Sequence, residues 1–413
     1  MTIDSDPTGL DTLVATDEAA RLLQAYEPGS SFFLSSPRGT MLARGAEATV
    51  PRTGTRADLP ARVAEFLRDA EGFGRGNPMV VGAVPFADSL PAHLVLPDEV
   101  IHASPLDVLA PATESEEVDC AVRAVPPPEE YERGVERVLR RIGDGELDKA
   151  VLARSLELST PDPINPSRML RNLALRDPSG YTFAVDLPRR DADGAGDPSV
   201  PGSGFGRTLL GASPELLVSR SGFLVRANPL AGSLPRSDDP TEDRARAQRL
   251  LNSDKDRREH SVVIESVAAA LRPLCSDLHV PAEPTVTATA TMWHLSTEIT
   301  GTVRDQRTSS LHLATALHPT PAVCGAPVRA AGSAIAEVEP FERGYYTGMV
   351  GWCDAAGDGE WVVAIRCGEV EDNSLRLFAG AGIVDGSDPA AELAETSAKF
   401  RTALAAMGWQ HRI

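Results

Sequence analysis

The stretch Asp358-Gly359-Glu360-Trp361-Val362-Val363-Ala364-Ile365-Arg366 is followed by Phe378-Ala379-Gly380-Ala381-Gly382 and then by Glu392-Leu393-Ala394-Glu395-Thr396-Ser397-Ala398-Lys399. Two strand-like runs and a helix carry, in order, an arginine, closely spaced glycines, two carboxylates and a lysine. Such a set can hold a small carboxylated substrate against a divalent cation. Alternation places Arg366 in a strand, on the side of Val362, Ala364 and Gly368, where a guanidinium needs a carboxylate. A structural salt bridge meets that need as well as a substrate does. Gly380-Ala381-Gly382 can present backbone N–H groups to an anion, although so short a motif is weak by itself.

The last helix has a clear start and stop, with Asp388 at the N-cap, Pro389 at the first helical position and Gly408 beyond the end. Leu393, Phe400, Leu404 and Met407 form its apolar stripe, and Glu392, Glu395 and Lys399 share a neighbouring face. Upstream, one helix is expected over about 241–274, in which Asp256, Glu259, His260, Val263, Val267, Ala270 and Leu274 fall within one stripe. Ionised carboxylates beside an apolar stripe call for a metal or a basic partner. Pairing with Lys255 or Arg257 at the helix end is the alternative, and the pattern does not choose. Brought together, the two helices would place up to four carboxylates around one site. Oxygen donors without His or Cys suit Mg²⁺. His294 and His318 can be core, supporting or catalytic residues, and their spacing does not decide.

With 413 residues and 42% apolar content the chain can bury a large core. Acidic residues outnumber basic ones, 59 to 40, and the net charge of −19 argues against a sequence-independent grip on nucleic acid or an anionic membrane. Five scattered cysteines without a CxxC pair read as reduced thiols. The start Met1-Thr2-Ile3-Asp4-Ser5-Asp6-Pro7 lacks the basic and apolar regions of a signal peptide, so a soluble cytoplasmic protein is expected, and the lack of an obvious apolar surface helix makes a monomer the default.

Along the chain, a first part to about residue 118 mixes strand-like Ser31-Phe32-Phe33-Leu34 with helix-like Ala61 to Leu67. Thr113 to Glu117 and Pro126 to Pro128 mark a break. A helix is expected from Pro128 to Ile142, and Lys149 then stands at the entrance of the strand-forming run Lys149 to Leu156. Residues 187–207, rich in Gly, Asp, Pro and Ser, form a flexible loop insertion. Asp372-Asn373-Ser374 between strand-like runs suggests a hairpin. Strands interleaved irregularly with long helices indicate an α+β fold.

These segments together resemble the chorismate-utilising enzymes, the family of anthranilate synthase component I, aminodeoxychorismate synthase, salicylate synthase and isochorismate synthase. Gly211-Ala212-Ser213-Pro214-Glu215-Leu216-Leu217, Ser253 to His260 and Leu317-His318-Pro319-Thr320-Pro321-Ala322-Val323-Cys324-Gly325 stand in family order with the opening stretch, across a catalytic core of residues 125–408. Within the family, the likeness is greatest to the isochorismate synthases of catecholate siderophore pathways. Pro229-Leu230-Ala231-Gly232-Ser233 stands where amine-transferring members carry Pro-Ile-Lys-Gly-Thr, and Glu339-Pro340-Phe341-Glu342-Arg343-Gly344 looks like the same branch. The resemblance implies one chorismate-binding domain over 1–413, with 1–118 forming the N-terminal part of two large, mainly antiparallel sheets. These pack face to face, flanked by helices, around an active-site cleft.

The resemblance further implies that water adds at C2 of chorismate while the C4 hydroxyl leaves. Lys149 is then the base that activates water and Glu215 the acid, which requires a lowered lysine pKa and a raised glutamate pKa. Mg²⁺ would be held by Glu259 and Glu395 with Asp256 and Glu392 nearby. Arg366, Tyr346, Lys399 and the Gly380 backbone would hold substrate, and Ala231, His294 and Thr320 would line the pocket. A salicylate synthase, which eliminates pyruvate afterwards, is the alternative, and an ammonia-using enzyme is disfavoured by Lys149 and Ala231. A catalytically inactive family member acting as a binding subunit has no reason to keep Lys149, Glu215, Glu259 and Glu395 together.

Overall fold

The computed structural model describes residues 18–29, 31–106, 116–177, 180–189 and 205–410. Residues 113–115 of the expected break and 190–204 of the expected loop insertion lie outside the described residues. Among the described residues, two antiparallel sheets of ten and nine strands dominate. The first sheet places Lys149–Ser159 between Gly325–Ala326 and Ser374–Val384, and continues through Cys367–Glu371, Phe205–Ser213 and Tyr181–Pro188 to the N-terminal strands Ser31–Ser36 and Gly39–Arg44. The second runs from Cys275–His279 through Leu216–Ser221 and Gly359–Val363 to Met349–Asp354 and Met79–Val84.

The opening stretch shows why the sheets stack. Along Gly359–Val363, Trp361 and Val363 pack on one side with Val263, Val267 and Leu311, while Val362 joins Phe32, Phe183, Leu209 and Phe378 of the first sheet. A strand buried on both faces reads as a continuous apolar run. Helices Leu59–Gly72, Asp254–Leu271 and Ser310–Leu317 cover the outer face of the second sheet. Helices Pro166–Arg176 and Pro389–Ala406 cover that of the first. No helix among the described residues is long and apolar enough to cross a membrane.

Two expectations about elements need correction. The helix expected over 241–274 is two helices, Pro240–Leu251 and Asp254–Leu271. Asn252 and Ser253 break it, because Ser253 takes an extended conformation and its hydroxyl caps the Asp256 N–H. Arg366 is not in a strand. It lies between Gly359–Val363 and Cys367–Glu371 with φ +50, a left-handed conformation that turns the chain from the second sheet into the first. The other boundaries follow the residues. Pro128–Gly143 and Pro389–Ala406 begin on their prolines, Lys149 opens its strand, and Asp372-Asn373 forms the hairpin turn between Cys367–Glu371 and Ser374–Val384.

Candidate active site

Lys149 and Gly382 come from neighbouring strands of the first sheet, on which Val151 is the register partner of Gly382. A Cβ at Gly382 would lie 3.0 Å from Lys149 Cε and 3.4 Å from Glu259 Oε1. The missing side chain leaves room for a direct contact, in which the buried Lys149 Nζ donates to Glu259 Oε1 at 2.6 Å. Burial pushes the Glu259 carboxyl up, but Lys149, helped by Lys255 and Lys399, outweighs it and holds the group below its ordinary value. Of the alternatives read from the helix, Lys255 therefore acts on Glu259, whereas Arg257 pairs with Glu283.

Glu215 sits in the crossing between Phe205–Ser213 and Leu216–Ser221 and is only 2% exposed. Its N–H donates to Ser213 Oγ at 3.2 Å, and its carbonyl accepts from Val363 N–H at 3.2 Å. Burial pushes its carboxyl up to about 8, against the opposing pull of the Leu230 N–H and the Lys149 charge. The two residues expected to move protons thus feel each other, and burial favours the neutral form of Glu215.

A second group gathers at Arg366, whose Nη2 donates to His294 Nε2 at 2.7 Å and Nη1 to Thr289 Oγ1 at 3.0 Å. Because guanidinium only donates, His294 is fixed as the Nδ1–H tautomer. Burial, with the charges of Arg366 and Lys399, holds its pKa well below the ordinary value. Burial likewise lowers Arg366 to about 10, and among the described residues no carboxylate is ion-paired with it. The charge of Asp177 opposes that lowering, and a largely desolvated guanidinium with no carboxylate paired to it is a ready site for an anionic ligand.

Lys399 Nζ joins the last helix to the sheet, donating to Gly380 O at 2.7 Å and pairing with Glu395 Oε1 at 2.7 Å. It is thus the carbonyl of Gly380 that meets another candidate residue. The Tyr346 ring stacks on Phe378 at 4.8 Å, and a Cβ on Gly380 would come within 3.0 Å of the Tyr346 hydroxyl oxygen. Ala231 is buried in an irregular strand whose Gly232 packs on Asp256. Thr320 is buried with a hydroxyl that has no hydrogen-bond partner among the described residues.

The four acids expected to bind a cation are not drawn into one ligand cluster. Among the described residues no three His, Cys, Asp or Glu side chains form such a group. Glu259 and Glu395 are each held by a lysine, and Asp256 packs against Gly232. Glu392 does feel Glu395: burial, then that neighbouring charge, raises its carboxyl against the pull of Ser387, Lys255 and Lys399. Sequence reasoning took Gly382 only as an N–H donor, missing the room its absent side chain leaves for Lys149 and Glu259, and left Lys255 only as an alternative. The spacing of Lys255 four residues before Glu259 was the available signal for the latter.

The chain matches the chorismate binding enzyme family over residues 102–408. It is 52% identical over 407 residues to isochorismate synthase DhbC of Bacillus subtilis, covering 97% of this chain and 100% of that relative. It is 38% identical over 408 residues to isochorismate synthase EntC of Escherichia coli, covering 97% and 100%. The crystal structure of a putative 2,3-dihydroxybenzoate-specific isochorismate synthase, DhbC from Bacillus anthracis, superposes with a TM-score of 0.87 at 47% identity, covering 95% of this chain and 100% of that one.

Proposed function

The chain belongs to the chorismate-binding enzymes, and from that premise we propose that it is an isochorismate synthase that adds water at C2 of chorismate as the C4 hydroxyl departs. The observation that carries this reading is Glu215, buried beside Lys149 with a carboxyl pushed up to about 8. Loss of hydroxide is slow unless a proton arrives, and a glutamic acid that is neutral at pH 7 can supply it. Lys149 is the base. Its Nζ donates to Glu259, so it can take a proton from water only after giving up one of its own, for which the Glu259 carboxylate is the acceptor in contact.

Arg366, backed by His294 and Thr289, would grip one substrate carboxylate, with Lys399, Tyr346 and the Gly380 backbone on the neighbouring side. Ala231, buried in its irregular strand, and Thr320, with an unused buried hydroxyl, would line the pocket. For Mg²⁺ the donor chemistry fits. Glu259, Glu395, Glu392 and Asp256 are hard oxygen donors, and the mutual repulsion of Glu392 and Glu395 is of the kind a cation relieves. Bound there, Mg²⁺ would neutralise a substrate carboxylate facing these acids. We also read the chain as one catalytic unit, since strands from before residue 118 and after residue 125 share both sheets. The description of the Bacillus anthracis protein as 2,3-dihydroxybenzoate-specific supports a product destined for 2,3-dihydroxybenzoate, the direction of siderophore assembly.

The test is incubation with chorismate and Mg²⁺ without ammonium, followed by separation of the products. Isochorismate alone is the expected result. Salicylate with pyruvate would reassign the chain as a salicylate synthase, and absence of turnover would leave only a binding role.

A further inference from the structure

Arg343 carries no role in the reaction described so far. Its side chain is buried, and all five of its N–H donors are used. Nε donates to Glu339 Oε2 at 2.9 Å and Nη2 to Glu339 Oε1 at 2.5 Å. The remaining three donors reach three different segments. Nη2 meets Val151 O at 2.6 Å, and Nη1 meets Val323 O at 3.0 Å and Thr347 Oγ1 at 3.2 Å. Glu339 Oε1 also accepts from Ala153 N–H at 2.8 Å.

Each segment carries a residue of the candidate site. Val151 follows Lys149 on the same strand, the Val323 and Cys324 N–H groups close a turn on the Thr320 carbonyl, and Thr347 follows Tyr346. Thr347 is also strained, because a β-branched residue at φ +58 persists only where its surroundings over-determine it. Its carbonyl accepts from His318 Nε2–H at 2.7 Å, and its N–H donates to Ala364 O at 2.8 Å.

We propose that Arg343, neutralised by Glu339, is a positioning residue for the reaction: its guanidinium locks together the three backbone segments that present Lys149, Thr320 and Tyr346. This rests on the isochorismate synthase reading above. The guanidinium suits the task because its planar fork aims donors in several fixed directions, whereas a lysine offers three donors from a single point. Arg343 touches no reacting atom, so its loss should misplace groups rather than remove one.

The discriminating variant is Arg343→Lys, assayed with chorismate and Mg²⁺. It keeps the charge facing Glu339 but leaves buried acceptors short of donors, so the thermal midpoint should fall while the chain still folds. The turnover number kcat should fall on the order of 10²-fold, as expected for a displacement of about 1 Å. KM should rise too, because Thr320 and Tyr346 face the substrate, but by a smaller factor than kcat falls. In Arg343→Ala, added guanidinium should restore part of kcat and methylammonium should not. Near-normal kcat in folded Arg343→Lys, or a loss that tracks unfolding without guanidinium rescue, overturns the proposal. If neither variant folds, the pair is a fold support and the positioning role is overturned. Absence of turnover by the unaltered chain would bring down the functional reading, and this role with it.

Discussion

Glu215 and Lys149 have opposite requirements, and burial raises the Glu215 carboxyl. A raised carboxyl favours folding in its neutral form, so the contribution of Glu215 is fully present below about 4.5 and is lost as pH rises through about 8. Glu215→Gln should therefore flatten the fall in thermal midpoint across that window while reducing kcat on the order of 10²-fold or more. Thermal melts and assays at matched pH values check both. A variant that melts with unchanged pH dependence would remove Glu215 as the buried acid. Lys149→Ala should lower kcat on the order of 10²–10⁴-fold with the fold retained, and near-normal activity would sink the proposed base. Glu215 as an acid was legible through its motif. Its elevated carboxyl was not, because desolvation depends on side chains from both sheets. For Lys149, the sequence showed the strand entrance but not Glu259 as partner, since 110 positions separate them.

At the scale of elements, the strand Ser374–Val384 does more than carry glycines. Gly382 has ordinary strand geometry, so alanine is conformationally allowed there, but its Cβ would press on Lys149 and Glu259. Gly382→Ala should reduce kcat by roughly tenfold or more, consistent with sub-ångström displacement of a reacting group, with little change in circular dichroism. Activity equal to that of the unaltered chain would show that the lysine tolerates the shift. The Gly380-Ala381-Gly382 motif was read as a source of N–H groups, whereas the structure gives weight to the absent side chains. The break at Ser253 was legible, with a capping serine followed at the third position by Asp256, but the surrounding helical periodicity masked it. Ser253→Ala should destabilise by about 1 kcal/mol, measurable by denaturant titration.

Across the whole molecule, the candidate site joins strands and helices distant in sequence, and its acidic side chains outnumber what its lysines pair directly. Chelation with EDTA should abolish turnover and Mg²⁺ should restore it. Mg²⁺ should also raise the thermal midpoint saturably, as any ligand of the native state does. Glu259→Gln and Glu395→Gln should each weaken that shift. A midpoint insensitive to Mg²⁺ in the unaltered chain would count against cation binding by these acids.

Local chemistry in the sequence determined much of this protein. Proline and aspartate set the helix starts, Asp372-Asn373 set a hairpin, and apolar runs such as Trp361 to Val363 required burial on both faces. Motif order further identified the family. Helix spacing also made the Glu395–Lys399 pair legible, whereas tertiary structure alone decided that Arg366 turns left-handed between two sheets, that Glu259 meets Lys149, and that Arg343 binds three segments at once. Those outcomes depend on which distant groups share a desolvated space. Hydrogen bonds and salt bridges need contact distances of a few ångströms, and the spacing of residues far apart in sequence does not encode them.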